Sequence, residues 1–258
     1  MLDGAFSVDG LVGIITGGGT GIGKAIAKFF AENGAKVSIA SRNIEHLASA
    51  KEEIDRTGGR CLIKTADVKH EDQVKAMVEG TLKEFGRIDI LVNNAGASFV
   101  APAAQISVNG LESILAINLK GAIYCSKAVF PVMLNQKRGK IINISSIAGI
   151  YGAPLMSHYG AAKAAMINLT KSLAYEWGPF GVWVNCIAPG MIETMGVFGQ
   201  MHIGPDQERK AKEKVPIRRW GKPEEIAYLA LFLASRASDY VQGETIVIDG
   251  GPQMPLEI

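Results

Sequence analysis

Short apolar runs alternate with helical segments along most of the chain, and this alternation restricts the fold more than any other feature. The apolar runs are Leu11–Thr16, Lys36–Ala40, Cys61–Ala66, Ile88–Val92, Lys140–Ser146, Val182–Ala188 and Glu244–Asp249. Runs that are apolar on both faces are typical of buried parallel strands. Strands that alternate with helices form right-handed crossovers. We therefore predict an α/β fold with a doubly wound parallel sheet. No linker, repeat or low-complexity segment divides the chain, so residues 1–258 are predicted to form one domain.

A glycine-rich turn follows the first predicted strand and precedes a helical segment. It contains Gly17, Gly21 and Gly23, a spacing that differs from the common GxGxxG pattern. A strand, a glycine turn and a helix N-terminus in succession present free backbone N–H groups to a phosphate. A tight strand–helix connection is the alternative interpretation. The position of the turn directly after a strand favours a dinucleotide site.

The residues after the second strand bear on which dinucleotide binds. Sites that prefer NAD place an acidic residue about 20 residues beyond the glycine turn, on the ribose 2′-hydroxyl. This chain has Ser41, Arg42 and Asn43 there. A guanidinium binds a phosphate with its planar fork, whereas an acid repels one. We predict NADP(H) as the preferred cofactor, with NAD(H) and a merely exposed Arg42 as the alternatives.

Other polar and glycine residues end the predicted strands. Asp67 follows the third strand and could accept the adenine amino group, Asn93–Gly96 follow the fourth, and Pro189 and Gly190 close the sixth. In open α/β sheets, ligands bind beyond the carboxyl ends of the strands. These positions are therefore predicted to lie at one binding edge.

A hydroxyl pair and an amine in the second half of the chain could act on a carbonyl. Tyr159 and Lys163 are four residues apart and share a helix face, and Ser146 closes the fifth strand. A neighbouring ammonium lowers the pKa of a phenol, which makes the phenol a usable proton donor near neutral pH. A surface Tyr/Lys pair is the alternative. Asn118 lies within a long helix predicted from Ser107 to about Gln136, and its side chain must find partners. It is either a satisfied core residue or one that distorts the helix and holds a water.

Composition excludes several classes of function. The net charge of +2 gives no electrostatic reason to bind nucleic acid or an anionic membrane. No apolar run is long enough to span a bilayer, and the first residues lack the pattern of a secretory signal, so we expect a cytoplasmic protein. The cysteines, Cys61, Cys125 and Cys186, lie far apart without metal-ligand spacing, so they are predicted to be buried and no metal site is expected.

In their order and spacing these motifs resemble the short-chain dehydrogenase/reductase family, in its compact single-domain branch. The resemblance runs from Leu11 to Gly251. It implies a Rossmann-type seven-stranded sheet in the order 3-2-1-4-5-6-7, and a homotetramer. It implies the catalytic residues Asn118, Ser146, Tyr159 and Lys163. The implied cofactor contacts are Gly17, Gly19, Thr20, Gly21, Ile22, Gly23, Ser41, Arg42, Asn43, Asp67, Val68, Asn94, Ala95, Gly96, Tyr159, Lys163, Pro189, Gly190, Ile192 and Thr194.

The resemblance also implies a mechanism. NADPH would deliver hydride to a carbonyl carbon, Ser146 and Tyr159 would hold the oxygen, and Tyr159 would supply the proton. Lys163 would tune Tyr159 and bind the nicotinamide ribose, while Asn118 would hold a water that links Lys163 to solvent.

The substrate remains open between several classes. The expected substrate is a small carbonyl compound or a 3-oxoacyl thioester. An alcohol or sugar dehydrogenase is the second alternative. A reductase of C=C bonds in enoyl- or dienoyl-coenzyme A is the third, because the presence of Ser146, Tyr159 and Lys163 together favours reduction of C=O over C=C. A non-catalytic NADP-binding protein is a remote alternative, and a methyltransferase on a similar sheet is more remote still.

Residues 191–215 depart from the regular rhythm and are predicted to form a substrate lid, or else an irregular surface insertion. The segment begins with apolar residues, and a basic cluster follows. The cluster comprises Arg209, Lys210, Lys212, Lys214, Arg218 and Arg219. These cations could meet the phosphates of coenzyme A or a carrier protein. The alternative is a solvated helix face that is balanced by neighbouring acids.

Overall fold

The protein was analysed as a computed structural model that describes residues 4–194 and 204–251. The strands are β1 (Val12–Thr16), β2 (Lys36–Ser41), β3 (Arg60–Thr65), β4 (Ile90–Asn93), β5 (Gly139–Ile144), β6 (Val182–Pro189) and β7 (Thr245–Ile248). All of them pair in parallel in one seven-stranded sheet of order β3-β2-β1-β4-β5-β6-β7. The predicted fold class and strand order are confirmed.

The strand order reverses its direction between β1 and β4. From β1 the chain adds β2 and β3 on one side, and it then returns to add β4 to β7 on the other. A crevice opens at such a reversal, outside the carboxyl ends of the strands. The glycine turn after β1 and the Asn94–Gly96 segment after β4 meet at this crevice.

Helices cover both faces of the sheet, as predicted. They are α1 (Gly21–Glu32), α2 (Ile44–Arg56), α3 (Glu71–Phe85), α4 (Val108–Leu115), α5 (Gly121–Gln136), α6 (Ala148–Tyr151), α7 (Ser157–Trp177), α8 (Pro205–Glu213) and α9 (Pro223–Ala234). One apolar core joins α1, α2 and α9 to the sheet, and a second core joins α3, α5 and α7 to its other face. Burial of these two apolar layers stabilises the sheet from both sides.

The long helix predicted from Ser107 to Gln136 is wrong in one respect, because a π-helical turn at Ala116–Lys120 separates α4 from α5. The Asn118 side chain lies in this turn. Its amide nitrogen donates to the Ile114 carbonyl oxygen at 3.0 Å and to the Ala97 carbonyl oxygen at 2.7 Å. A side chain that competes for a helix carbonyl in this way distorts the regular hydrogen-bond ladder.

Strand β5 is shorter than predicted. It ends at Ile144, so Ser146 lies two residues beyond the strand and two residues before α6. The Ser146 hydroxyl accepts the backbone N–H of Ala148 at 3.1 Å. Ser146 is therefore held by the turn that starts α6 and not by the sheet ladder.

Of the predicted lid, the structure describes residues 191–194 and 204–215. The apolar residues Met195, Val197, Phe198, Met201 and Ile203 lie outside the described residues. The described part after them contains α8, so the segment is partly helical.

Two expectations about composition can be compared with the described residues. The three cysteines are free and buried, as predicted. Within residues 4–194 and 204–251, no helix is long and apolar enough to cross a membrane, and no group of His, Cys, Asp or Glu side chains could hold a metal ion.

Candidate active site

The glycine turn fits tightly between β2 and the loop after β4. Gly17 and Gly21 have positive φ angles of 66° and 53°, a conformation that glycine adopts without a steric penalty. The Asn94 amide donates to the Thr16 carbonyl oxygen at 2.9 Å, and a Cβ atom on Gly23 would overlap this amide. The turn therefore brings the N-terminus of α1 next to Asn94.

The predicted phosphate residues Ser41, Arg42 and Asn43 line a hollow of about 710 Å³ at the end of β2, together with Glu45 and His46. Arg42 is exposed and forms no ion pair within the described residues. The Asn43 side chain is occupied as the N-cap of α2, because it accepts the N–H groups of Glu45 and His46 at 2.8 and 3.2 Å. Arg42 is thus the free cation of this hollow.

Asp67, by contrast, makes local contacts with its carboxylate. One oxygen accepts the Lys69 backbone N–H at 3.0 Å, and the other lies 3.5 Å from the Lys69 ammonium. Its neighbour Val68 is buried against Gly121. The expected adenine contact of Asp67 stays a prediction.

Two neighbouring cavities at the carboxyl edge of the sheet contain most of the remaining predicted residues. One cavity of about 260 Å³ is lined by Ile22, Asn94, Gly96, Asn118, Ser146, Tyr159, Lys163, Pro189, Gly190, Ile192 and Thr194, with Ala97, Ser98, Ile144 and Ser145. The other, of about 530 Å³, shares Ile22, Asn94, Gly96 and Thr194 with the first and adds Gly17, Thr20, Gly21 and Ala95. The predicted residues that line none of the cavities are Gly19, Gly23, Asp67 and Val68.

The four predicted catalytic side chains meet in the smaller cavity. Tyr159 and Ser146 both line this cavity, and the Ser146 hydroxyl opposes the rise that burial causes in the Tyr159 pKa. The Lys163 ammonium lies 5.6 Å from the centre of the Tyr159 ring and donates to the Ile144 carbonyl oxygen at 2.8 Å. Asn118 is fully buried, and its side-chain oxygen has no hydrogen-bond partner within the described residues.

Gly96 preserves the space between Asn118 and Lys163. A Cβ atom at this position would lie 2.7 Å from the Asn118 side-chain oxygen and 3.5 Å from the Lys163 ammonium. A buried carbonyl oxygen without a donor is unfavourable in a dry protein interior. This arrangement leaves room for a small polar group that donates to Asn118.

Burial dominates the electrostatics of the two ionisable groups. It lowers the pKa of Lys163 to about 8, because the buried ammonium loses its hydration. Burial raises the pKa of Tyr159, and the hydrogen bond with Ser146 offsets this only in part. The sequence predicted that Lys163 lowers the Tyr159 pKa. In the protein alone the direction is opposite, so the phenol is held in its protonated form at neutral pH.

Sequence reasoning missed two residues that set this geometry. The Ser145 hydroxyl donates to the Lys163 carbonyl oxygen at 2.8 Å. A Cβ atom on Gly149 would lie 2.7 Å from the backbone nitrogen of Ala164, so only glycine lets α6 approach α7 this closely. The sequence contained one signal of this contact, because Gly149 lies in the short segment that connects Ser146 to the helix of Tyr159.

Three of the six cations in the basic cluster, Arg209, Lys212 and Arg219, form ion pairs with acids among the described residues. Lys212 lies 3.1 Å from Glu193 and 2.8 Å from Glu208, Arg209 lies 2.7 Å from Glu213, and Arg219 lies 2.7 Å from Glu225. Arg218 donates to the backbone carbonyl of Glu213. These contacts favour the alternative of a balanced helix face over a phosphate-binding surface.

Comparison with known proteins gives a consistent result. A family model described as enoyl-(acyl carrier protein) reductase matches residues 17–253. The chain is 42% identical to a peroxisomal 2,4-dienoyl-CoA reductase of Danio rerio, over 93% of this chain and 80% of that protein. It is 40% identical to the 3-oxoacyl-(acyl-carrier-protein) reductase FabG of Thermotoga maritima, over 95% of this chain and 98% of that protein.

Solved structures agree in fold over nearly the whole chain. A short-chain type dehydrogenase/reductase from Mycobacterium marinum superimposes with a TM-score of 0.92 at 37% identity, covering 98% of this chain and 99% of that chain. A 7α-hydroxysteroid dehydrogenase, solved with NADH and a 7-oxo bile acid, gives a TM-score of 0.93 at 33% identity, covering 98% of this chain and 99% of that chain.

Proposed function

The chain belongs to the short-chain dehydrogenase/reductase family of oxidoreductases, and we propose that it is an NADP(H)-dependent reductase of carbonyl compounds. The proposal rests on one observation above the others. Ser146 and Tyr159 lie in one cavity with buried Lys163 and Asn118. A binding protein without catalysis would have no use for this combination.

The residues present fit a nicotinamide dinucleotide. The positive φ of Gly17 and Gly21, the space beside Gly96 and the unpaired side-chain oxygen of Asn118 leave the crevice open to a ligand with phosphates and polar groups. In our proposal the glycine turn holds the pyrophosphate, Arg42 the 2′-phosphate and Thr194 the carboxamide. When bound, NADPH supplies the hydride that reduces the carbonyl carbon.

The protein side chains handle the oxygen and the proton. As charge develops on the carbonyl oxygen, hydrogen bonds from Ser146 and Tyr159 strengthen, which stabilises the transition state over the ground state. Tyr159 then gives its proton to the oxygen. The raised pKa of Tyr159 in the protein alone keeps the phenol protonated at neutral pH, so a proton is present for transfer to the oxygen. Lys163 holds the ribose, and Asn118 holds the water that connects Lys163 to solvent.

A C=C reductase is the second candidate, because four of the similar curated proteins are named 2,4-dienoyl-CoA reductases. The presence of Ser146, Tyr159 and Lys163 in one cavity favours C=O reduction, since a reduced carbonyl oxygen needs a proton donor beside it. The two candidates therefore differ in the substrate reduced and not in the cofactor site.

The test is a spectrophotometric screen of NADPH oxidation, with NADH in parallel. The panel contains 3-oxoacyl thioesters, diketones, cyclic ketones, and enoyl and dienoyl thioesters. We expect turnover with ketones and little with the unsaturated thioesters. Turnover confined to the dienoyl thioesters would establish the second candidate, and intact NADPH binding without any turnover would favour a binding protein.

We also propose a homotetramer in the cytoplasm. Exposed aromatic side chains support self-association, because Tyr175 is 89% exposed and Phe180 is 50% exposed. Light scattering after size exclusion measures the mass directly, and a monomer at micromolar concentration would contradict this assembly.

A further inference from the structure

The smaller cavity contains one charged side chain among its described lining residues. This is Lys163, whose ammonium is already bonded to the Ile144 carbonyl oxygen. The other side chains that line it are apolar, hydroxyl or amide groups. In the proposed complex this ammonium also holds the nicotinamide ribose. A carboxylate or phosphate near the reacting carbon would therefore compete with the ribose for the only cation among these lining residues, and its desolvation there is unfavourable.

Two segments without charged residues continue from this cavity. Residues 94–111 follow β4 and residues 145–162 follow β5, and neither contains Asp, Glu, Lys or Arg, although these residues make up 20% of the chain. Ser98 of the first segment and Tyr159 of the second line the cavity. The segments are joined where the Ala101 N–H donates to the Leu155 carbonyl oxygen at 2.9 Å. They therefore form one continuous surface.

This joined surface exposes large apolar side chains. Val100 is 58% exposed, Tyr151 is 56% exposed and Leu155 is 53% exposed. Leu155 also has a φ of +63°, a left-handed conformation that is unfavourable for leucine. Backbone strain of this kind is concentrated at functional sites, including ligand clamps. Leu155 lies four residues before Tyr159, and its exposed side chain is available to a substrate that extends beyond the cavity.

We propose that Val100, Tyr151 and Leu155 bind a neutral hydrocarbon portion of the substrate, so that the enzyme selects ketones with an apolar chain or ring next to the carbonyl. The proposal rests on the carbonyl reduction proposed above. It excludes compact substrates that carry a carboxylate or phosphate close to the carbonyl, such as keto-sugar acids. An acyl thioester remains compatible when its charged groups lie beyond this surface.

The first test measures binding without turnover. The Tyr159→Phe variant, saturated with NADPH, is titrated calorimetrically with methyl ketones of increasing chain length. Each buried methylene is expected to lower the dissociation constant about two- to fourfold. A matched series with a terminal carboxylate close to the carbonyl is expected to bind more weakly. Constant affinity along the alkyl series, absence of ketone binding, or a preference for the short carboxylates would overturn the proposal.

Two substitutions then locate the surface in the Tyr159→Phe background. Val100→Asp and Leu155→Asn are expected to reduce the gain per methylene and to leave the affinity for butanone unchanged. Asparagine tolerates the left-handed conformation at position 155. Val247→Asp is the matched control, because Val247 is 40% exposed on β7 and lines none of the cavities described above. An equal loss in the control, or a changed oligomeric mass with an unchanged ketone series, would contradict the proposal.

These binding measurements separate the two proposals. If long-chain ketones bind preferentially and the wild-type enzyme reduces none of them, the proposal of an apolar site is supported and the proposal of carbonyl reduction is contradicted. If the wild-type enzyme reduces ketones and their affinity does not depend on the length of the alkyl chain, carbonyl reduction is supported and the apolar site is contradicted.

Discussion

Gly149 lies directly against the backbone of Lys163. A Cβ atom on Gly149 would be 2.7 Å from the carbonyl carbon of Lys163 and 3.0 Å from its oxygen. The helix α6 that contains Gly149 begins two residues after Ser146, and α7 carries both Tyr159 and Lys163. This contact therefore fixes how far the Ser146 hydroxyl stands from the Tyr159 hydroxyl.

We expect Gly149→Ala to impair catalysis more than cofactor binding. The added methyl group meets backbone atoms that cannot rotate away, and overpacking of this kind costs about 1–3 kcal/mol. A shift of α6 would move Ser146 from Tyr159 and lower kcat about tenfold or more. Stopped-flow turnover and NADPH titration measure the two effects. Gly178→Ala is the control, since its nearest neighbour is the flexible Gln242 side chain at 3.1 Å. Wild-type kcat in Gly149→Ala would refute the role of this contact.

Removal of the Tyr159 hydroxyl should abolish most turnover without loss of cofactor. Tyr159→Phe deletes the proton donor and one hydrogen bond to the developing oxyanion, and a positioned general acid contributes about 10²–10⁴-fold. We expect kcat to fall by at least about 100-fold and the NADPH dissociation constant to remain unchanged. Ser146→Ala should give a smaller loss in kcat, because the proton donor remains. Near-wild-type turnover in Tyr159→Phe would disprove the assignment.

Arg42→Asp should reverse the cofactor preference. Loss of a charge-assisted hydrogen bond to the 2′-phosphate weakens binding by about 1.5–3 kcal/mol, and the new carboxylate repels the phosphate further. We expect the NADPH dissociation constant to rise about 10- to 100-fold and the NADH constant to change little. Lys83→Asp on α3 makes the same change in net charge at an exposed position away from the hollow. Equal losses for the two cofactors would rule out a phosphate contact.

The buried Lys163 ammonium should destabilise the cofactor-free protein in a pH-dependent way. Its pKa is about 8 in the folded protein against an ordinary value of 10.5. The folded state therefore binds this proton more weakly than the unfolded state does. The penalty is fully present below pH 8, where it amounts to about 3 kcal/mol. It disappears as the pH rises towards 10.5.

Urea unfolding of Lys163→Met without cofactor tests this prediction. The lost hydrogen bond to Ile144 offsets part of the gain, by about 1 kcal/mol. We expect the variant to be more stable than the wild type at pH 7, and the difference to shrink or change sign at pH 10. A difference that is the same at both pH values would contradict the assigned pKa.

Lys212 should affect NADPH binding although it lies outside the cavities next to the catalytic residues, because it holds Glu193 beside Thr194, the proposed carboxamide contact. Its ammonium joins Glu193, next to Thr194, to Glu208 of α8 and lies 5.0 Å from the centre of the buried Trp220 ring. We expect Lys212→Met to raise the KM for NADPH several-fold. The melting temperature should change little, because exposed ion pairs contribute little to stability. Lys212→Arg should restore KM. Arg209→Met is the control, since Arg209 pairs within α8. An unchanged KM in Lys212→Met would contradict the prediction.

The sequence predicted the sheet well because its signals are local. Apolar runs and glycine turns lie within single segments, and the predicted run Lys36–Ala40 agrees with β2, Lys36–Ser41, to within one residue. The π-helical turn at Asn118 was not predicted, because it depends on a hydrogen bond to Ala97, which is distant in sequence. Tertiary contacts of this kind leave no periodic signal.

The same limit applies to the site. The sequence identified Ser146, Tyr159 and Lys163 from residue type and spacing, and the structure brings them together. It did not identify the role of Gly149, and it gave the wrong direction for the Tyr159 pKa in the protein alone. Both depend on how closely segments pack and how much water they exclude. Residue spacing does not specify these quantities.

The reversal of strand order between β1 and β4 divides the site into two parts. The proposed contacts of the adenosine half of the cofactor come from β1, β2 and the loops after them, whereas the side chains proposed to act on substrate follow β4, β5 and β6. Each part is formed by its own strands, and the two parts meet at the crevice between β1 and β4. Substitutions at position 42 could therefore change the cofactor preference, and substitutions at positions 100 and 155 could change the substrate preference. Neither change would require substitutions in the other part of the site.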